Sequence, residues 1–147
     1  MNLELTDRVA IVGGASKGLG RACAQTLAEE GARVALCSRS AKDVEKAAQE
    51  IHDTTGRDTL AFAGDLDRPE TVRELVAATV ARFGRLDILV SNSGGPPLAR
   101  AYNATEEQWA TAVQRSLLFF ARMAREALPH LKKSGGGRII NILASTV

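Results

Sequence analysis

Cysteine, aromatic residues and long apolar runs are all scarce in this sequence. Its 147 residues contain two cysteines, Cys23 and Cys37, and only 4% aromatic residues. Two cysteines exclude a disulfide framework and a cysteine-based metal cluster, so we expect two reduced thiols in a cytoplasmic protein. So few aromatic side chains argue against a surface that stacks nucleic-acid bases. No apolar run approaches the length of a membrane span, so no membrane partner is predicted.

The net charge of the chain is close to zero. Nineteen basic residues against 17 acidic ones leave a formal net charge of +2, which is too small to indicate binding to nucleic acid or to an anionic membrane. Residues 1–7 carry acids and lack the apolar core of a signal peptide. His52 and His130 have no partners at metal-ligand or catalytic-triad spacing, so no metal site is predicted. The remaining composition, 45% hydrophobic, is that of a soluble protein with one domain over residues 1–147.

Short apolar runs alternate with amphipathic segments along the chain. The runs predict strands, and the segments between them predict helices because their apolar residues recur at helical spacing. Strands separated in this way form right-handed crossovers and a parallel sheet covered on both faces. The fold class is therefore α/β, a doubly wound parallel sheet in three αβα layers, with ligands expected outside the carboxyl ends of the strands. Five strands are predicted, over residues 9–12, 33–37, 59–63, 87–90 and 138–142.

Capping residues mark the starts of three helices. Ser40 and Asp67 are suited to cap the second and third helices. Thr105 and Gln108 form a capping box that begins a long helix over residues 105–133. Pro129 is expected to kink its last turn. The apolar positions that predict this helix are Trp109, Val113, Leu117, Phe120, Ala124 and Leu128.

A glycine-rich turn joins the first strand to the first helix. Its spacing is Gly14-x-x-x-Gly18-x-Gly20. The first amides of a helix have no acceptor within it and the helix dipole is positive there, so a pyrophosphate binds well. Glycines let the backbone turn sharply and approach the ligand closely. The alternative is a plain strand–helix turn. The residues predicted to bind a cofactor here are Gly14, Ser16, Lys17, Gly18, Leu19 and Gly20.

The second strand leads into Ser38-Arg39, where no acid is present. A dinucleotide site selective for NAD usually has an acid here that binds the ribose 2′-hydroxyl. Arg39 and Lys17 are instead suited to a 2′-phosphate, which arginine binds through two parallel hydrogen bonds. We therefore predict that Ser38 and Arg39 bind cofactor and that NADP(H) is preferred, with NAD(H) as the alternative cofactor. The alternative is that Arg39 is a solvated loop residue without a binding role.

Two further loops complete a resemblance to a known family. Asp65-Leu66 follows the third strand, and Ser91-Asn92-Ser93-Gly94 follows the fourth where the family has Asn-Asn-Ala-Gly. With the glycine turn, these motifs resemble the classical short-chain dehydrogenase/reductase family over residues 7–147. The resemblance implies a Rossmann-type sheet and a nicotinamide cofactor.

The resemblance also assigns roles within these loops. It implies that Asp65 accepts from the adenine amino group and that the Leu66 amide donates to the ring. It implies that Asn92 ties neighbouring strands together and that Gly94 passes close to the nicotinamide ribose, with Ser93 in the same loop. The reaction it implies is reversible hydride transfer between NADP(H) and a carbonyl or secondary alcohol, as in 3-oxoacyl reductases.

The family's catalytic residues are only partly matched. The family's asparagine corresponds to Ser116, and its serine corresponds to Ala144, with Ser145 one residue later. Consecutive strand residues face opposite sides, so Ser145 replaces that serine only if the chain bulges. The family's Tyr-x-x-x-Lys is absent, because the only tyrosine, Tyr102, has no lysine four residues later. Ser116 and Ser145 are thus the candidate catalytic residues.

Several expectations concern the whole protein. An uncovered fifth strand would be an unprotected edge, so we expect the chain to be a fragment that is inactive by itself. The alternative function is a non-catalytic dinucleotide-binding module. The resemblance implies a homo-oligomer that pairs through helix 105–133. The substrate is not identified beyond its class, and contacts to it are expected from Pro96, Pro97, Leu98 and Tyr102.

Overall fold

Five parallel strands form the centre of the computed structural model, which describes residues 3–95 and 100–143. They are β1 Val9–Val12, β2 Arg33–Ser38, β3 Thr59–Ala63, β4 Ile88–Ser91 and β5 Arg138–Asn141. Their order across the sheet is β3-β2-β1-β4-β5, and each neighbouring pair is parallel. The predicted doubly wound sheet is confirmed. The order reverses between β1 and β4, which is where such sheets leave a crevice at their carboxyl ends.

Helices connect the strands. They are α1 Gly18–Glu29, α2 Ala41–Thr55, α3 Pro69–Phe83, α4 Glu106–Val113 and α5 Phe119–Lys133, with a short 3-10 turn at Ala101–Asn103. Among these helices of the described residues, none is both long and apolar enough to cross a membrane.

The two faces of the sheet are buried under different helices. Side chains of a strand alternate between faces, so Val9 and Ile11 pack in one cluster with residues of α3 and α5, such as Met123. Ala10 and Val12 pack in a second cluster with residues of α1 and α2. Strands buried on both faces are apolar almost throughout, which explains the short uninterrupted runs in the sequence. Strand β5 differs, because three of its four residues are exposed.

The long predicted helix forms, but it is not uniformly α-helical. Its capping box is confirmed, since Thr105 Oγ1 accepts from the Gln108 amide at 3.2 Å and Gln108 Oε1 accepts from the Thr105 amide at 2.9 Å. A π-helical segment, Gln114–Leu118, joins α4 to α5, and the residue pattern did not predict it. Helix α5 continues past Pro129 to Lys133.

The apolar residues that predicted this helix mark mostly its outer side. The buried residues of α5 are Phe119, Met123, Ala127 and Leu131. Four of the residues used for the prediction are exposed instead, namely Trp109, Val113, Leu117 and Leu128. Two apolar stripes lie side by side on one helix, and periodicity alone does not tell which stripe faces the sheet.

Two capping predictions have opposite outcomes. Ser40 caps α2 as expected, with its Oγ accepting from the Asp43 amide at 3.3 Å. The prediction that Asp67 caps α3 is wrong, because the N-cap is Arg68 and no side chain caps this end. The Asp67 carboxylate accepts from Arg115 Nε at 2.9 Å instead. The bond to Arg115 joins two full charges, and this Coulomb attraction is absent from a bond to a neutral amide.

Candidate functional site

A cleft of about 580 Å³ opens at the carboxyl ends of the first four strands. Its walls are the turns that follow β1, β2, β3 and β4, together with one residue of the π-helical segment, Arg115. The residues that line it are Gly14, Ser16, Lys17, Leu19, Ser38, Arg39, Ser40, Asp43, Gly64, Asp65, Leu66, Asp67, Asn92, Ser93, Gly94, Gly95 and Arg115.

The glycine turn brings backbone amides to this cleft. Arg21 donates to Lys17 O at 3.4 Å, so the preceding amides at the start of α1 have no acceptor within the helix. At Gly20, a Cβ would collide with the carbonyl oxygen of Gly14 and lie 2.8 Å from Asn92 Nδ2. Asn92 Nδ2 donates to Gly13 O at 3.1 Å and so ties the tip of β4 to the turn. The turn is therefore held tightly, also by the Gly13 and Ala15 amides, which donate to Val90 O and Cys37 O, and the first amides of α1 remain for an anion.

Positive charge is available at one end of the cleft. Lys17 and Arg39 line it, both are exposed, and neither makes an ion pair within residues 3–95 and 100–143. Asp43, in the first turn of α2, lies at the same end. Lys17 and Arg39 are therefore available to bind an anionic group.

The turn after β3 forms the neighbouring wall, since the Gly64 amide donates to the carbonyl oxygen of Ser38 at 2.9 Å. Asp65 Oδ1 accepts from the Asp67 amide at 3.0 Å, which fixes the carboxylate within the turn. Leu66 is buried beside it. Burial and the nearby Asp65 charge raise the pKa of the Cys37 thiol to about 12, so this thiol stays neutral. This turn combines an oriented acceptor with an apolar side chain.

The loop after β4 contacts the π-helical segment. Ser93 Oγ donates to the carbonyl oxygen of Arg115 at 3.2 Å and accepts from the Gly95 amide at 3.4 Å. Ser91, the last residue of β4, is fully buried, and its Oγ has no hydrogen-bond partner among the described residues. The hydroxyls of this loop thus bond to the helix backbone or remain unbonded.

Most residues predicted to bind cofactor meet in this one cleft. Those that line it are Gly14, Ser16, Lys17, Leu19, Ser38, Arg39, Asp65, Leu66, Asn92, Ser93 and Gly94. Gly18 and Gly20 do not line it, although both belong to the turn that shapes it. Whether these residues bind a cofactor stays a prediction.

Of the predicted catalytic and substrate residues, the two that the structure describes, Ser116 and Tyr102, do not line the cleft. Ser116 is exposed and lies outside its lining, although the preceding residue is part of it. Tyr102 is also exposed, and its hydroxyl accepts from Arg100. Ala144, Ser145, Pro96, Pro97 and Leu98 lie outside the described residues, so their predicted roles stay predictions.

Six lining residues were not predicted: Ser40, Asp43, Gly64, Asp67, Gly95 and Arg115. All but Arg115 adjoin a residue predicted to bind cofactor or follow it closely, and a wider window at each strand end would have found them. Asp67 was assigned to a cap, and the long-range pair that it forms with Arg115 has no sequence signal.

The fold and the cleft define a doubly wound protein of the Rossmann type, with its crevice at the strand-order reversal. The family model described as short chain dehydrogenase matches residues 8–146. The chain belongs to the short-chain dehydrogenase family of oxidoreductases, and the resemblance predicted from its motifs is confirmed.

Characterised relatives and solved structures agree with this assignment. The chain is 36% identical over 142 residues to a 3-oxoacyl-[acyl-carrier-protein] reductase, FabG, of Vibrio cholerae, covering 97% of this chain and 56% of the relative. It is 32% identical over 139 residues to a D-beta-hydroxybutyrate dehydrogenase of Rhizobium meliloti, with coverages of 94% and 54%.

An L-sorbose reductase from Gluconobacter frateurii, solved with NADPH and L-sorbose, superimposes with a TM-score of 0.91 at 32% identity, with coverages of 96% and 54%. An alcohol dehydrogenase from Thermococcus sibiricus, solved with 5-hydroxy-NADP, gives a TM-score of 0.82 at 33% identity, with coverages of 88% and 55%. The chain thus spans about half the length of the relatives it matches.

Proposed function

We propose that the protein is an NADP(H)-dependent oxidoreductase that transfers hydride between the nicotinamide and a carbonyl or secondary alcohol, as 3-oxoacyl reductases do. The observation that carries this proposal is the cleft, which combines free amides at the start of α1 with two unpaired cations. Relatives named as a reductase and a dehydrogenase, and neighbours solved with NADPH or an NADP analogue, support it.

The residues present fit an extended dinucleotide. The glycine turn has no room for a Cβ at Gly14 or Gly20, where it would meet Asn92 or the Gly14 backbone, and the amides at the start of α1 suit a pyrophosphate. Asp65 offers an acceptor for an exocyclic amine beside the apolar Leu66. When bound, the cofactor supplies the hydride, and the residues of this chain bind and orient it. Leu19, 69% exposed, would then be covered.

The preference for NADP(H) follows from the end of β2. No acid stands there to bind a ribose 2′-hydroxyl, and Arg39 and Lys17 are free to bind a 2′-phosphate. A charge-assisted hydrogen bond contributes about 1.5–3 kcal/mol, so one such bond shifts the preference roughly tenfold to a hundredfold.

Titration of the protein with NADPH and NADH, followed by fluorescence, tests this proposal. We expect tighter binding of NADPH, and we expect Arg39→Glu to remove most of the difference. Arg125→Glu is the matched control, since Arg125 is exposed on α5 and is absent from the cleft lining. If NADPH bound Arg39→Glu as tightly as the unaltered protein, the assignment of the 2′-phosphate to Arg39 would be wrong.

A second candidate function is a non-catalytic dinucleotide-binding module. The observation that favours it is the exposed position of Ser116, outside the cleft lining. A panel of carbonyl substrates with NADPH, monitored by the loss of nicotinamide absorbance, distinguishes the two. Cofactor binding without turnover of any substrate would favour the module.

We also propose that copies of the chain associate through the outer side of α4 and α5, in the cytoplasm. Trp109, Val113, Leu117 and Leu128 leave an exposed apolar stripe there, and burying such a stripe is favourable. Sedimentation of Leu117→Glu tests this, with Leu19→Glu as the matched control on another exposed leucine. A smaller species for Leu117→Glu alone is expected, and identical sedimentation of all three proteins would contradict the proposal. Cell fractionation tests the location.

A further inference from the structure

We propose that Asp67 and Arg115 form a positioning pair that couples the adenosine end of the cleft to the loop and helix segment at its other end. The inference rests on the proposed function, because it takes the Asp65 end as the site of the adenine base. The two residues of this pair belong to none of the cofactor motifs in the sequence.

A continuous series of hydrogen bonds connects the two ends of the cleft. It begins at Asp65, whose carboxylate accepts from the Asp67 amide at 3.0 Å. The Asp67 carboxylate accepts from Arg115 Nε at 2.9 Å, and the carbonyl oxygen of Arg115 accepts from Ser93 Oγ at 3.2 Å. The Gly95 amide donates to the same Ser93 Oγ at 3.4 Å. Every one of these residues lines the cleft.

Asp67 also holds the helix on either side of Arg115. Its carbonyl oxygen accepts from Gln114 Nε2 at 3.0 Å and from Arg122 Nη1 at 3.2 Å. Gln114 and Arg115 are the first two residues of the π-helical segment, and Ser116 is the third. Such segments interrupt the regular α-helical bonding and occur frequently at functional sites. The turn after β3 therefore sets where this segment, and Ser116 within it, lies relative to the cleft.

Stability alone does not account for this pair. The side chains of Arg115 and Asp67 are 36% and 27% exposed, and ion pairs that solvent reaches contribute little to folding. Asp87, which is 3% exposed and bonded to two arginines, is the chain's contrasting case of a buried ion cluster. A ligand that excludes water from the cleft would strengthen the attraction between Asp67 and Arg115, so this partly exposed pair is suited to respond to ligand binding.

Hydrogen exchange measured by mass spectrometry tests the coupling. The probe is adenosine 2′,5′-bisphosphate at saturation, which has no nicotinamide and so reaches only the adenosine end, with AMP as a second probe that lacks the 2′-phosphate. We expect either bound probe to slow exchange of the amides in residues 93–95 and 114–118 about fivefold or more, the lower range of ordinary coupling between sites. In Arg115→Gln, saturated with the same probe, this remote effect should be lost.

Matched variants separate coupling from general destabilisation. Asp67→Ala keeps the backbone carbonyl and its two helix contacts, and it should lose the remote effect as Arg115→Gln does. The double variant should lose no more of the remote effect on hydrogen exchange than either single variant loses, because the two residues act together. Arg115→Lys, which keeps the charge, should retain part of the effect. Arg73→Gln, which removes an exposed pair with Glu70, should behave as the unaltered protein.

The outcomes distinguish this inference from the proposed function. If neither probe bound, the dinucleotide site itself would be wrong, and the coupling with it. If a probe bound and protected residues 65–67 but left residues 93–95 and 114–118 unchanged, only the coupling would be wrong. Equal remote protection in Arg115→Gln and in the unaltered protein would likewise refute the coupling and leave the dinucleotide site in place.

Discussion

Replacement of Gly20 by alanine tests how closely the glycine turn is packed. Gly20 lies in the first turn of α1, where alanine is intrinsically preferred to glycine by about 1 kcal/mol. The structure opposes this preference, because the added Cβ would meet the backbone of Gly14 and the side chain of Asn92. Overpacking costs about 1–3 kcal/mol, and we expect a cost near the upper limit here because the methyl group would clash with backbone in a turn that Asn92 holds in place. The expected net loss is about 2 kcal/mol.

Thermal unfolding and cofactor titration provide the measurements. A loss of about 2 kcal/mol in a chain of this size lowers Tm by about 4–8 °C. NADPH should also bind more weakly, because the turn must move to admit the methyl group. Gly136→Ala is the control, since a Cβ there meets nothing within 4 Å and its φ is not positive. If Gly20→Ala were as stable as the control, or bound NADPH as tightly as the unaltered protein, the described packing of the turn would be refuted.

Three further predictions concern single side chains. Burial acts to raise the pKa of Asp87, but bonds from Arg85, the Val9 amide and Arg8 outweigh it and lower that pKa. Stability should therefore fall as the pH drops below the unfolded value of about 3.9, and denaturant titrations should give a shallower fall for Asp87→Asn. Cys37, buried and with a raised pKa, should react with iodoacetamide far more slowly at pH 8 than Cys23, and equal rates by mass spectrometry would contradict this. Asn92→Ala should cost about 1 kcal/mol in denaturant unfolding, and no loss would mean that its bond to Gly13 O is unimportant.

Local sequence was sufficient where local interactions decide the structure. The bounds of β1 and β3 agree with the prediction, since apolar runs bounded by turn residues have few alternatives in a parallel sheet. The capping box at Thr105 and the cap at Ser40 also formed as predicted, because they bond residues three apart. Most of the predicted cofactor residues met in one cleft, since the carboxyl ends of parallel strands share one edge of the sheet.

Contacts between distant segments were decided only by the tertiary structure. The Asp67 carboxylate could accept either from amides at the start of the next helix or from a cation 48 residues away. It bonds to the cation because the packing of the later helix beside α3 brings Arg115 close to it. The same packing decided which apolar stripe of α4 and α5 faced the sheet and which remained exposed. Sequence by itself determined the strands, the glycine turn and the family. The wall that Arg115 adds to the cleft required the folded chain, because residues this far apart have no local signal for one another.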